Sequence, residues 1–294
     1  MNHLPNWLRQ HIAALRMLLV TTVIVGIGYP LATTLVAQIP GLQHRADGSL
    51  VHLDGKVIGS SVIGQSFTNA RGNPIAKYFQ SRPSASNYDP TASGASNLGP
   101  ESIVDTLPDP SVKGDTGTQS LLTQICTRSL QVGAENGVNG QRPYCTSTGV
   151  GAVLSVIRSN GVTGAVVKVI SVNQECPATP FISTYDGVTV TCATYGENIA
   201  VGTIVPIRGA GKAWPANAVP PDAVTASGSA LDPDISIAYA KLQAPRVAKV
   251  RNLPLAEVMH LVSKYTSGRT LGFMGEPTVN VLLLNVALDR LPGQ

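Results

Sequence analysis

The rhythm of apolar and polar positions changes several times along this chain. From Met17 to Ala37 (MLLVTTVIVGIGYPLATTLVA) apolar residues dominate, and no Asp, Glu, Lys, Arg or His occurs between Met17 and Gln43. As a helix those 21 residues would cover about 32 Å, the thickness of a bilayer's hydrocarbon core. Residues 48–58 (GSLVHLDGKVI) then alternate around Asp54-Gly55, which predicts a β-hairpin, because a two-residue turn needs positive φ and Asp-Gly supplies it. From Phe67 to Pro110 the periodicity is lost in a stretch dense in Gly, Pro, Ser and Asn, an ordered loop or a linker. Helical spacing returns over 118–132 at Leu121, Ile125 and Leu130, and 150–158 reads as a second short helix. Alternation from Val162 to Val172, a second Asp-Gly turn at Asp186-Gly187 within Ile182 to Tyr195, and Ile204 to Ile207 predict strands.

Beyond a Pro-rich joint, Trp214 to Pro221, three helices are expected. Asp232-Pro233 would start the first, with Asp as cap and Pro in the first turn. Pro254 would open the second, whose apolar face holds Leu255, Val258, Met259, Val262 and Tyr265 before Gly268 closes it. The third follows Pro277, with Val279, Leu282, Leu283 and Val286 on one stripe. The fold class is therefore α+β, with one N-terminal transmembrane helix followed by a mixed extracytoplasmic domain. The expected divisions are a cytoplasmic N-terminus (1–16), a transmembrane helix (17–38), a β-rich and loop part (39–105), a disulfide-containing α+β insertion (106–210) and a helical C-terminal part (221–294).

A cleaved signal peptide is the other reading of the apolar run, but the run exceeds the usual ~7–15-residue core and the segment before it is long. Arg9 and Arg16 precede it with no acid, whereas Arg45 is soon balanced by Asp47 and Asp54. The bias of positive charge to the inside therefore places the N-terminus in the cytoplasm and the rest outside, in a single-pass cell-membrane protein. Within the span, Pro30 predicts a kink, and Gly26, Gly28, Thr33 and Thr34 leave small or hydroxylated surface suited to packing against partner helices.

Composition adds two exclusions. Charged residues make up only 13 % of the chain and aromatic ones 5 %, and no Lys/Arg cluster is interleaved with rings, so nucleic acid is not an expected partner. The four cysteines, Cys126, Cys145, Cys176 and Cys192, form no C-x-x-C pair and have no histidine among them, which argues against zinc. An even count outside the membrane favours two disulfides. Three pairings exist, and sequence neighbours closing first favours Cys126 with Cys145 and Cys176 with Cys192.

Catalytic signatures are weak. Gly114-Asp-Thr-Gly-Thr118 lacks the Lys of a phosphorylated D-K-T-G-T motif and reads as a solvated turn, and Gly209-Ala-Gly-Lys-Ala213 lacks the spacing and hydroxyl of a P-loop. His260 lies one helical turn after Glu257, a solvated pair rather than an acid–base couple. No metal ligand set is expected, and no catalytic residue. A membrane-anchored extracytoplasmic hydrolase or ligand-binding domain is the alternative on these features alone.

Seven strings in order carry a resemblance: YPLATT (29–34), GSSVIGQSF (59–67), YFQSRPSA (78–85), the YDP to ASGASNLGP run (88–100), DAVTASGSALDPDIS (222–236), LQAPRVAKVRNL (242–253) and GRTLGFMGEPTVNVLLLNVALD (268–289). Together they resemble the KdpC family, the small subunit of the high-affinity potassium-transporting Kdp ATPase. Ala230 stands where that family has Gly, Ile237 where Pro is common, and the four-cysteine stretch 106–210 exceeds the common form. The resemblance implies a non-catalytic accessory subunit in membrane lipid, bound to the channel-like KdpA, the ATP-hydrolysing KdpB and the small KdpF. It would stabilise the assembly and act as a catalytic chaperone for ATP binding by KdpB. ATP would be held jointly with KdpB, and Gln243 of LQAPRVA is the residue the family proposal points to for contacting it.

Overall fold

A computed structural model describes residues 4–208 and 219–291. The Gly209-to-Ala213 string and residues 214–218 of the Pro-rich joint lie outside the described residues. The chain divides into two compact units, Met1–Val62 and Ile63–Gln294.

The first unit opens on a helical rod, Asn6–Ala37, long and apolar enough to cross a membrane and with none of its apolar window buried by protein. Helix α1 (Asn6–Thr21) runs into a π-wound stretch, Thr22–Gly28, and then α2 (Tyr29–Ala37). Pro30 brings no N–H, and its ring crowds the carbonyl four residues back, that of Gly26. Where the sequence predicts a kink, the structure carries a widened π stretch just ahead of the proline. A short helix α3 (Gln43–Ala46) follows, then the hairpin of β1 (Leu50–Leu53) and β2 (Lys56–Ser60). Its turn is the predicted Asp54-Gly55, with both residues at positive φ (50° and 75°).

In the second unit, residues 63–120 contain no helix or long strand, yet they are not a loose linker: Phe79 is fully buried and Gln80 nearly so. Helix α4 (Leu121–Asn136) starts on Ser120, whose hydroxyl accepts the Thr123 N–H, and stops at Gly137 in the left-handed region. A five-stranded sheet comes next: β3 (Val153–Asn160), β4 (Thr163–Glu175), β5 (Thr184–Tyr185), β6 (Val188–Ala193) and β7 (Thr203–Pro206). Its order is β5-β6-β4-β3-β7, antiparallel except for the parallel β4–β6 pair. Asp186-Gly187 makes the β5–β6 turn, again with positive φ at both residues.

Residues 153–158 are therefore a strand and not the expected helix. Leu154 and Val156 pair on both sides, with β4 and with β7, and Val153 pairs with β7. A run buried on both faces has no alternation to reveal its period, so strand and helix look alike in sequence. Leu154 and Val156 join Val169 and Val190 in the core of the sheet, with Phe181, Ile182 and Val205 packed against them.

The C-terminal part is a three-stranded sheet, β8 (Asp234–Ser236), β9 (Thr266–Ser267) and β10 (Thr278–Asn280), in the order β8-β10-β9, with helices α5 (Ile237–Val250), α6 (Leu255–Lys264) and α7 (Val281–Asp289). Three expectations need correction here. Asp232-Pro233 does not begin α5: Ser236 is the cap, its hydroxyl accepting the Tyr239 N–H, while Asp232 is drawn away by Arg82 at 3.0 Å. Gly268 does not close α6, which ends at Lys264 because Thr266 and Ser267 are taken into β9. Val279 lies in β10 and not on the α7 stripe, since Asn280 caps that helix through the Leu283 N–H. Pro245 sits inside α5 on its exposed side, where the carbonyl it strands at Lys241 meets water.

Both cysteine pairs are bridged: Cys126 on α4 to Cys145, and Cys176 to Cys192 on β6, across sequence separations of 19 and 16. Closing a loop of this length removes entropy from the unfolded chain worth about 3 kcal/mol. Replacing Cys126 and Cys145 together by Ser is expected to lower the denaturant-unfolding free energy of the chain by about that amount. Equal unfolding midpoints for the variant and the oxidised parent would contradict it.

Candidate functional site

The resembling strings of the second unit converge on one buried structure. The backbone of Phe79 is held by the side-chain amide of Asn285 on α7: the Phe79 N–H donates to Oδ1 at 2.9 Å, and Nδ2 donates to the Phe79 carbonyl at 2.9 Å. The next residue repeats the pattern with a different helix. The Gln80 N–H donates to Oε1 of Gln243 on α5 at 2.7 Å, and Nε2 of Gln243 donates to the Gln80 carbonyl at 3.1 Å. Two side-chain amides thus replace the neighbouring strand that this segment lacks. Gln243 and Asn285 are 0 % and 1 % exposed, so water cannot substitute for either.

Cations brace the same segment. Arg246 donates from Nη2 to Oε1 of Gln243 at 2.9 Å, from Nη1 to the carbonyls of Ala76 and Tyr78, and from Nε to Asn136 at the end of α4. Arg251 donates to the Lys77 carbonyl and pairs with Asp289 at 2.7 Å, and the Tyr78 hydroxyl donates to the other oxygen of that carboxylate. The Arg251 guanidinium also lies 5.2 Å from the Tyr78 ring. Arg82, at the end of the segment, pairs with Asp232 and donates to the carbonyls of Thr225 and Ala226.

The two Gly/Ser-rich runs use their polar groups on each other. Ser93 Oγ and the Gly94 N–H both donate to the Ser229 carbonyl, Ser84 Oγ to that of Ala230, and the Gly64 N–H to that of Leu231. Ala230, which departs from the family's Gly, keeps a left-handed φ of 60° while fully buried. Gly64 is packed so closely that an added Cβ would lie 2.4 Å from the Asp232 carbonyl oxygen.

Beside this scaffold, α4 and α5 border a cavity of about 230 Å³ with residues 66–88. Burial pushes the Tyr88 phenol up to about 12, against the lowering effect of a hydrogen bond with Ser81. Burial, then the nearby Glu135, also raises Tyr239. Glu135 itself is held above the usual carboxylate range by burial, with Arg246 pulling the other way.

The remaining expected residues fall elsewhere. Gly26, Gly28, Pro30, Thr33 and Thr34 all lie exposed along the membrane-length rod. The Thr33 and Thr34 hydroxyls donate to carbonyls of their own helix, at Tyr29 and Pro30. Gln243 has both lone pairs of its oxygen engaged, so a nucleotide touching it would first have to displace Gln80. His260 and Glu257 are exposed on α6, and Gly114 to Gly117 is an exposed turn in which Asp115 accepts the Asp109 and Gly117 N–H groups. Among the described residues, no group of three or more His, Cys, Asp or Glu is placed to hold a metal ion.

Sequence reasoning missed Gln80, Asn285, Arg246, Arg251 and Asp289. One signal was present: Asn285 interrupts the otherwise apolar run Val281 to Leu288, and a polar residue on a buried stripe implies a buried partner. Replacing Gln243 by Leu keeps the volume but orphans the Gln80 N–H and carbonyl. It is expected to cost about 2–6 kcal/mol of unfolding free energy, about 1–3 for each buried group left unpaired. A Gln243→Leu chain as stable as the parent in urea would show that the bracket is not structural.

Comparison with known proteins places this architecture. The KdpC family model, described as the K+-transporting ATPase c chain, matches residues 11–106 and 203–290. That match includes every residue of the bracket and omits 107–202. The potassium-transporting ATPase KdpC subunit of Mycobacterium tuberculosis strain H37Rv is 36 % identical over 285 residues, 96 % of this chain and 99 % of that protein. Those of Kineococcus radiotolerans and Streptomyces avermitilis are each 34 % identical, over 97 % and 99 % of this chain and 95 % and 97 % of theirs. Alignments of that coverage must run through the four-cysteine stretch, so these relatives carry a counterpart of it. The chain belongs to the KdpC family, the c chain of the K+-transporting ATPase.

Proposed function

We propose that this chain is the non-catalytic accessory subunit of a potassium-uptake ATPase, anchored by one helix and holding KdpA, KdpB and KdpF together from the extracytoplasmic side. The observation that carries this reading is the bracket itself. The family's polar strings spend their hydrogen bonds on one another, which yields a rigid body for docking and not a set of groups free to react. Gly26, Gly28, Thr33 and Thr34 offer the membrane helix to a neighbouring helix, where small residues allow close approach.

The outer location is supported by two bridged cysteine pairs, which persist in oxidising surroundings, and by Arg9 and Arg16 ahead of the span. In that topology the second unit does not reach cytosolic ATP. The catalytic-chaperone effect on ATP binding by KdpB then passes through the assembly, with Gln243 acting by keeping the docking body in shape.

Two measurements test the proposal. Pulling on the solubilised chain should recover KdpA and KdpB with potassium-stimulated ATP hydrolysis, and recovery of the chain alone under conditions that preserve such complexes would count against it. For topology, Val162 is 80 % exposed on the outer unit, and a Val162→Cys variant should react with a membrane-impermeant maleimide in intact cells. Labelling only after lysis would reverse the orientation and restore a direct route to ATP.

A further inference from the structure

The cavity beside the bracket is walled by residues 66–88, by α4 and by Tyr239 of α5, and most of its polar walls are internally satisfied. The Tyr88 hydroxyl donates to the Arg82 carbonyl, Ser84 Oγ to the Ala230 carbonyl, and Gln80 Nε2 to three carbonyls. Three groups break that pattern. Tyr239 is 2 % exposed; its hydroxyl makes no hydrogen bond to a described residue and is not fully enclosed, so water can reach it. Glu135, half-buried on α4, feels Arg246 but accepts no hydrogen bond and forms no ion pair among the described residues. Arg82 uses both terminal nitrogens, while its buried Nε has no partner. Nearby, Arg128 gives one bond from each terminal nitrogen, to the Val224 carbonyl and to Gln124, and has further N–H groups to offer.

The Tyr239 hydroxyl, the Glu135 carboxylate and spare N–H groups of Arg128 belong to residues that line the same space. Arg82 is already paired with Asp232, and the Arg128 guanidinium, which has no acid partner among the described residues, disfavours a bare metal cation. Glu135 in turn disfavours a simple anion. The volume of about 230 Å³ is several times the roughly 30 Å³ that one water takes in the liquid, so it admits a small organic molecule.

We propose that this cavity binds a zwitterion of amino-acid size, its ammonium group on Glu135 and its carboxylate on the Tyr239 hydroxyl and the guanidinium N–H groups of Arg128. The site is independent of the assembly role, because it needs neither KdpA nor KdpB. Its wall joins the family's YFQSRPSA segment to α4, so occupancy would tie the four-cysteine stretch to the scaffold.

The test is calorimetric titration of the purified full-length chain with L-alanine, L-serine, L-proline and L-glutamine, alongside propionate and propylamine as half-molecules. At least one amino acid should bind saturably while both half-molecules bind at least about tenfold more weakly, the loss expected when a charge-assisted hydrogen bond is removed. Glu135→Gln should weaken binding by about tenfold and Tyr239→Phe by several-fold. Tyr239→Phe removes only an unbonded hydroxyl, so its thermal midpoint should match the parent's and keep the comparison free of unfolding. Absence of binding by all four amino acids would overturn the proposal. So would propionate binding as tightly as its amino acid, or affinities unchanged in both variants.

Discussion

The helical scaffold of the second unit depends on how the backbone of Phe79 and Gln80 is satisfied. This segment has no strand neighbour, yet it passes through the interior with Phe79 fully buried. Unpaired N–H and carbonyl groups there would cost more than the burial of the ring returns. Gln243 and Asn285 solve the problem with planar amides, each offering one acceptor and one donor at the spacing of a peptide group. Because the two amides come from different helices, the segment also fixes α5 against α7. Arg246 and Arg251 extend the bracket to the carbonyls just before it.

The four-cysteine stretch attaches to this scaffold through a set of polar contacts. Arg128 on α4 donates to the Val224 carbonyl, Arg142 to those of Val219 and Pro220, and Asn136 receives Arg246. Burial lowers the pKa of Arg128, Arg142 and Arg246, the mark of cations drawn out of water to hold backbone carbonyls. The sheet keeps its own core around Leu154, Val156, Val169 and Val190. That division fits a family model which omits 107–202 and relatives which nevertheless retain a counterpart of it.

Legibility followed the range of the interactions involved. Both Asp-Gly hairpins, the α4 helix and the membrane-length run were readable because their causes lie within a few residues: turn stereochemistry, helical spacing and unbroken apolarity. Residues 153–158 were misread because a strand paired on both sides loses the alternation that identifies it. The start of α5 was misplaced because Asp232 had two suitable roles, cap and ion-pair partner, and Arg82 claims it from 150 residues away. The Gly/Ser-rich residues 93–94 and 229–231 lack any local period to reveal their partners, and the structure joins them to each other and to Ser84 and Gly64.

The sequence by itself determined the class of the molecule: an uncharged span, an α+β body beyond it and, through ordered strings, its family. It could not show that Gln80, Gln243 and Asn285 form one unit, since 163 and 206 residues separate the bonded pairs. Local pattern reports which face of an element is apolar, because that depends on the element's own period. Which buried polar group meets which backbone depends on the packing of distant elements. Only the tertiary structure decided that the family's polar strings turn inward as a scaffold.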